Sequence, residues 1–345
     1  MMPMVKIAIL HARCLPIPAE AQPSSADFTE EAAWRYVRNN VVKTLEMLET
    51  AAASKPDLIC TNEDFANTGA YLRDFRYPAL FATVVEKSAQ MIAEGVSRIA
   101  KAHAVCIASN AAEPDGGALY NVSTLYGKDG KSIGKYKKVH LADTERWRLT
   151  AGEAFPVFNT HFGRIGFATC YDMTFPETCR ALALNGADII VHQTQGWGLG
   201  ARTDAAIGDA LLRIRAAENG VFIVVGKNIQ GDGGDGGRSC VIDNNGQFIA
   251  ESGINDEGIL LADIEADYDA MDTYLFNNYF TGISSTKARQ FAGRFPRLYG
   301  VFASESTALG ERYKGCKPRN TQEQYIKVMA DWEQKSEDEK ERYHW

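Results

Sequence analysis

A chain of 345 residues with 45% hydrophobic and 23% charged residues has the composition of a soluble globular protein with room for a large core. A formal net charge of -7 argues against a nucleic-acid surface, and the one dense basic cluster, Lys135 to Lys138, is too short to follow a phosphate backbone. Seven dispersed cysteines with no CxxC pair argue against a disulfide framework or a structural zinc site, and no apolar run is long enough to span a bilayer. The expectation is a cytoplasmic protein that acts on a small molecule, without a membrane, nucleic-acid or metal partner.

In chain order, Val5 to Leu10 reads as a strand; with only one basic residue before Leu10, it does not read as a signal peptide. A proline-rich loop over Leu15 to Asp27 follows. Thr29-Glu-Glu then opens a long amphipathic helix to about Ala53, with Trp34, Val37, Val41, Leu45 and Leu48 at spacings of three and four. Asp57 to Thr61 is a second strand, delivering Asn62-Glu63-Asp64 at its end. A helix from about Ala82 to Ala102 and a strand from Val105 to Ser109 come next.

The pattern then changes to strand-strand. Leu119 to Tyr126 and Ser132 to Tyr136 flank the turn Gly127-Lys-Asp-Gly130, and Phe155 to Thr160 and Arg164 to Thr169 flank His161-Phe-Gly163. A helix over Pro176 to Asn185, a strand Asp188 to His192, a helix Thr203 to Asn219 and a strand Val221 to Val225 restore the alternation. A last hairpin pairs Arg238 to Asp243 with Gln247 to Glu251 about Asn244-Asn-Gly246. Strand-helix-strand-helix-strand-hairpin thus occurs twice, which predicts an α/β protein with two similar halves and two sheets packed face to face with helices outside. Residues 1-267 form this domain. Residues 268-345, rich in aromatics and arginine and ending in a charged helix near Gln322 to Glu341, read as an extension that wraps the domain or a second subunit. The glycine-aspartate run Gly231 to Gly237 reads as a loop.

Three segments each put a reactive side chain just past a predicted strand: Glu63, Lys138 and Cys170. Strand ends of one sheet lie together, and ligands favour that rim. Cys170 stands on a strand-to-helix turn ahead of Pro176-Glu177, where outward N–H groups can lower a thiol pKa and hold an oxyanion. A carboxylate could take the thiol proton, the thiolate could attack a carbonyl or nitrile carbon, and an ammonium could stabilise the charge that develops. Taken singly, each residue also has an ordinary structural explanation, and a cysteine with His140 or His192 as base is open on composition.

The three segments together resemble the nitrilase superfamily of carbon-nitrogen hydrolases. The match lies in Thr61-Asn-Glu63, in Gly134-Lys-Tyr-Lys-Lys138-Val-His140-Leu141, and in Gly166-Phe-Ala-Thr-Cys170-Tyr-Asp-Met-Thr-Phe-Pro-Glu177, with Gly237-Arg-Ser-Cys-Val-Ile-Asp243 as a late hairpin. The resemblance covers residues 4 to 265. It implies a four-layer α-β-β-α sandwich, with Glu63 as general base, Cys170 as nucleophile, Lys138 and the Tyr171 N–H as oxyanion partners, and Glu145 as a supporting carboxylate. It further implies a homodimer or higher homo-oligomer paired through the helices beside the cysteine turn, no cofactor, and Gln193, Gln195 and Trp197 as candidate substrate contacts. Tyr171-Asp172 after the nucleophile resembles the amidase and carbamoylase branches, where nitrile-cleaving members have Trp-Glu. The expected reaction is therefore cleavage of a small linear amide or N-carbamoyl compound with release of ammonia; the alternatives are a nitrilase and a silent binding or assembly protein. Asn62 stands where the family commonly has proline, and residues 70 to 81 carry no transferable motif.

Overall fold

The computed structural model describes residues 4–74, 76–142, 144–196, 205–229 and 237–265, and beyond these residues 291, 293–304, 307, 312 and 334. Trp197, the run from 231 to 236 and the charged helix expected near the C-terminus lie outside the described residues, apart from the single residue 334. The chain forms two compact units, Met1–Tyr268 and Asp269–Trp345. In the second, two 3-10 turns are described, Pro296–Leu298 and Gly300–Ala303.

The first unit is α/β. Its first half runs β1 (Met4–Arg13), α1 (Glu30–Ala52), β2 (Leu58–Cys60), α2 (Leu80–His103), β3 (Cys106–Asp115), β4 (Ala118–Tyr126) and β5 (Ser132–Lys137). The second runs β6 (Val157–Thr160), β7 (Gly163–Phe167), α3 (Pro176–Leu184), β8 (Ile189–Thr194), α4 (Ala205–Asn219), β9 (Phe222–Ile229), β10 (Cys240–Ile242), β11 (Phe248–Glu251) and β12 (Gly258–Glu265). In one half β1, β2 and β3 are parallel and β4 and β5 continue antiparallel; in the other β7, β8 and β9 are parallel, with β10 and β11 continuing antiparallel. The halves meet where β1 and β9 pair at their ends, Ala12 with Asn228 and Arg13 with Ile229. The doubled pattern read from the sequence is this pair of related sheets.

Alternation along the strands explains the packing. On β1, Ala8 and Leu10 join Val37, Val41 and Leu48 of α1 and Val84, Val96 and Ile99 of α2 in one core. Val5, Ile7 and Ile9 point the other way and join Ile165, Phe167, Val191 and Val224 of the second half. On β7, the face opposite Ile165 and Phe167 carries Gly166, which leaves room for Leu182 of α3.

Three features differ from the sequence reading. β3 runs six residues past Ser109 and turns into β4 through Gly116 and Gly117, both at positive φ, so β3 and β4 are themselves a hairpin. β12, which was not expected, pairs antiparallel with β1 over Met4 to His11. It is an edge strand whose burial alternates only at its end, so its apolar start Ile259-Leu-Leu261 carries a weak strand signal. Finally, β9 extends four residues past Val225, and those residues carry Gly226, Lys227 and Asn228 to the site.

Gly226 has a specific reason to be glycine. A Cβ there would lie 2.3 Å from the carbonyl oxygen of Thr61, two residues before Glu63. Gly226→Ala must push the two backbones apart, and overpacking of this kind costs about 1–3 kcal/mol. A urea unfolding curve of the variant is expected to show that loss, with reduced turnover because the Glu63 segment moves; an unchanged midpoint would contradict the close approach.

Candidate active site

The ends of β2, β5, β7, β8 and β9 converge, so residues far apart in sequence meet. β5 ends at Lys137, and the next N–H, of Lys138, donates to Asn121 O on β4 at 2.9 Å. The Lys138 side chain is buried and donates from Nζ to Glu63 Oε1 at 3.0 Å and to Glu145 Oε2 at 2.8 Å. Burial pulls the Lys138 pKa down, but the charges of Glu145, Glu63 and a Cys170 thiolate outweigh it and hold the group well above its ordinary value. Lys138 is an ammonium at every working pH.

Glu63 follows β2 and is held on every side. Oε1 also accepts from Asn121 Nδ2 at 3.0 Å, Oε2 accepts the Gln195 N–H at 3.0 Å, and its carbonyl accepts Asn228 Nδ2 at 2.7 Å. Asn121 bridges the two carboxylates, donating to Glu145 Oε1 at 3.0 Å as well. Asn62, in the place of the family's proline, is buried, and the loop it forms still delivers Glu63 to Lys138. Glu145 begins a 3-10 turn, Glu145–Trp147, and is tied by the Ala142 N–H at 2.7 Å.

Cys170 opens the 3-10 turn Cys170–Thr174 that leads into α3, where Pro176 holds the first helical position. Its φ is 47°, a left-handed conformation that costs a non-glycine residue about 1–3 kcal/mol and marks a turn held by its surroundings. Asp172 does the holding. One carboxylate oxygen accepts the Thr169 N–H at 2.9 Å and the Tyr136 hydroxyl at 2.6 Å; the other accepts the His140 N–H at 2.9 Å and lies 2.9 Å from His140 Nδ1. The cysteine turn and the lysine segment are thereby one unit.

The thiol is the group for which the sequence expectation fails. Instead of being lowered by the turn, its pKa is pushed up to about 11, by burial first and then by the charge of Glu63, with Lys138 and a hydrogen bond from Thr194 only partly opposing. Burial and the nearby Glu63 carboxylate keep Cys170 protonated at rest, so it would need a base in order to attack a carbonyl.

A cavity of about 270 Å³ opens onto Glu63, Lys138, Glu145 and Cys170, with Leu72, Phe81 and Leu149 as apolar wall. Residues 70 to 81, for which the sequence carried no motif, supply part of that wall and also Arg73. Two anchors shape this stretch: Asp64 accepts from Thr68 N and Oγ1 and from Gly69 N, and Arg148 donates to the carbonyls of Leu72, Asp74 and Pro78. Asp64 is itself pushed up to about 7, by burial chiefly and by Glu63 to a lesser degree.

Of the other expected residues, Gln195 lines the cavity, with its main-chain N–H on Glu63. The Tyr171 ring packs edge-on against Phe175 at 5.3 Å and is not part of the cavity wall, while its N–H stands at the start of the 3-10 turn, where no partner exists inside the helix. The imidazoles are engaged elsewhere: His140 is bonded to Asp172, and His192, pulled down to about 4 by burial, donates from Nδ1 to Ala168 O at 2.7 Å. Asn121, Asp172, Thr194 and Asn228 were not legible as site residues, since each acts across strands.

Residues 23–271 match the family model described as carbon-nitrogen hydrolase. The chain belongs to this family. It is a hydrolase that acts on carbon-nitrogen bonds other than peptide bonds. It is 34% identical to a probable nitrilase of Schizosaccharomyces pombe over 189 residues, which is 54% of this chain and 64% of that protein. To an omega-amidase of Mus musculus it is 27% identical over 244 residues, covering 66% of this chain and 83% of that one. Among solved structures, a mutant of the amidase from Nesterenkonia sp. AN1 in complex with butyramide aligns with a TM-score of 0.61 at 22% identity, over 76% of this chain and 92% of that chain, a likeness of fold.

The elevated thiol predicts a pH dependence. Because burial and Glu63 raise the pKa to about 11, the iodoacetamide alkylation rate of Cys170, followed by peptide mass spectrometry, is expected to keep rising by about tenfold per pH unit between pH 8 and 10. An ordinary thiol would level off above about pH 8.5; a plateau there would show that the environment does not raise this one.

Proposed function

We propose that the chain is a thiol amidase that cleaves a small linear amide or N-carbamoyl compound, releasing ammonia through a Cys170 acyl-enzyme. The observation that carries the reading is the buried Lys138 ammonium, bonded to both Glu63 and Glu145, on the same cavity as Cys170. Glu63 takes the thiol proton as Sγ attacks the carbonyl carbon, and the oxyanion is stabilised by Lys138 Nζ and the Tyr171 N–H. Collapse breaks the C–N bond, the proton passes from Glu63 to the leaving nitrogen, and ammonia departs. Water then attacks the thioester, or thiocarbamate, with Glu63 as base, and the acid and free thiol result. Glu145 positions Lys138. The residue pair Tyr171-Asp172, the omega-amidase relative and the apolar cavity wall support an amide with a short carbon chain.

A nitrilase reaction is the second reading, favoured by similarity to the probable nitrilase of Schizosaccharomyces pombe and to a nitrilase of Pyrococcus abyssi, 32% identical over 198 residues. We assign the chemistry to residues 1-267 and place the enzyme in the cytoplasm as a homodimer, with residues 268-345 as an extension on the domain or the dimer interface. No described helix is long and apolar enough to cross a membrane.

Ammonia release from short primary amides, N-carbamoyl amino acids and the matching nitriles tests the reading. Amides or carbamoyl compounds are expected to be preferred, and Cys170→Ala is expected to lose about ten-thousandfold or more in kcat/KM, as removal of a nucleophile does elsewhere. Preference for nitriles would select the second reading, and release that survives in the variant would remove the thiol from the mechanism.

A further inference from the structure

Lys138 and Lys227 are the two fully buried lysines among the described residues. Burying an ammonium is expensive unless its donors are satisfied, and a leucine on β9 would avoid the cost. Lys138 has its place beside Glu63 and Cys170. Lys227 lies outside that group, yet its Nζ donates to Gln195 O at 2.7 Å and to Asn228 O at 2.6 Å.

Those two acceptors belong to the two residues that grip Glu63 from this side. Gln195 donates its main-chain N–H to Glu63 Oε2 at 3.0 Å, and Asn228 donates its side-chain amide to Glu63 O at 2.7 Å. One ammonium therefore clamps the segment after β8 to the end of β9, and the clamped pair fixes both the carboxylate and the main chain of Glu63. The Lys227 main chain is fastened in turn, its N–H donating to Ser239 Oγ at 3.1 Å, and Ser239 Oγ lies 3.0 Å from His11 Nδ1.

We infer that Lys227 is a positioning residue for Glu63: its buried ammonium holds the Gln195 and Asn228 backbones so that the base keeps its orientation toward the Cys170 thiol and, later, toward the hydrolytic water. The inference rests on the base role proposed for Glu63. Gln195 thereby acquires a main-chain function alongside its place in the cavity wall.

Steady-state kinetics and crystal structures of Lys227→Met and Lys227→Gln test this. Because a misplacement of about 1 Å in a reacting group costs up to about a hundredfold in rate, Lys227→Met is expected to lower kcat by about 10- to 100-fold with KM within about threefold. Its structure is expected to show the Gln195 N–H beyond hydrogen-bonding distance of Glu63 Oε2. Lys227→Gln keeps a neutral donor at the position and is expected to recover part of kcat. A folded Lys227→Met with wild-type kcat, a loss confined to KM, an intact bond from Gln195 to Glu63, or a Gln variant no better than Met would each overturn the inference. If Lys227→Met does not fold, the Gln variant read alone decides, since wild-type kcat in it would do the same. Ammonia release by the wild type tests the proposed reaction, whereas the separation of Gln195 from Glu63 is read from coordinates, so the two ideas fail independently.

Discussion

The buried ammonium of Lys138 is the constraint around which the rest of the site is arranged. An isolated ammonium in an apolar core is untenable, and leaving one half of a buried ion pair alone costs about 3–5 kcal/mol. Lys138 is stable because Glu63 arrives from the end of β2 and Glu145 from the turn after β5, each at hydrogen-bonding distance. The ends of β2 and β5, in the same half, must therefore lie against one another with little slack. The tight approach of Gly226 to Thr61 and the joining of β1 to β9 are what bring the β2 loop and the second half into register.

Asp172 performs the matching task for Cys170. Its carboxylate binds one residue before Cys170 and two residues on the lysine segment, so the sulfur and the ammonium cannot drift apart without breaking several charge-assisted hydrogen bonds. The left-handed Cys170 backbone is the strain that this network sustains. The cavity wall is organised by the same economy of means: Asp64 and Arg148 hold the stretch from Thr68 to Pro78 chiefly through its main chain, the N–H groups of Thr68 and Gly69 and the carbonyls of Leu72, Asp74 and Pro78, which leaves Leu72 and Arg73 on the cavity wall.

Much of this was legible in the sequence because Glu63, Lys138 and Cys170 each stand just past a predicted strand, and strand ends converge; the roles given to them came from the resemblance to the nitrilase superfamily. The doubled strand-helix pattern anticipated the two related sheets. What stayed hidden acts through the backbone or across strands. Asn121 looks like any polar residue of a β-strand, and the Gln195 contribution to Glu63 is an N–H that every residue but proline carries. β12 escaped because it pairs with a strand some 250 residues away, a distance at which local patterning carries no information. The thiol pKa stays hidden for a related reason: the turn's N–H groups are a local feature, whereas burial and the Glu63 charge come from the tertiary structure.

The raised thiol pKa has a consequence for how long such an enzyme keeps its sulfur intact. With a pKa of about 11, only about one molecule in ten thousand carries a thiolate at neutral pH. Peroxide attacks the thiolate, and oxidation past the sulfenic state is irreversible for most cysteines. On the proposed mechanism, in which Cys170 ionises only as Glu63 takes its proton, the sulfur would be shielded from oxidants between turnovers. A permanently activated thiolate would trade that durability for readiness.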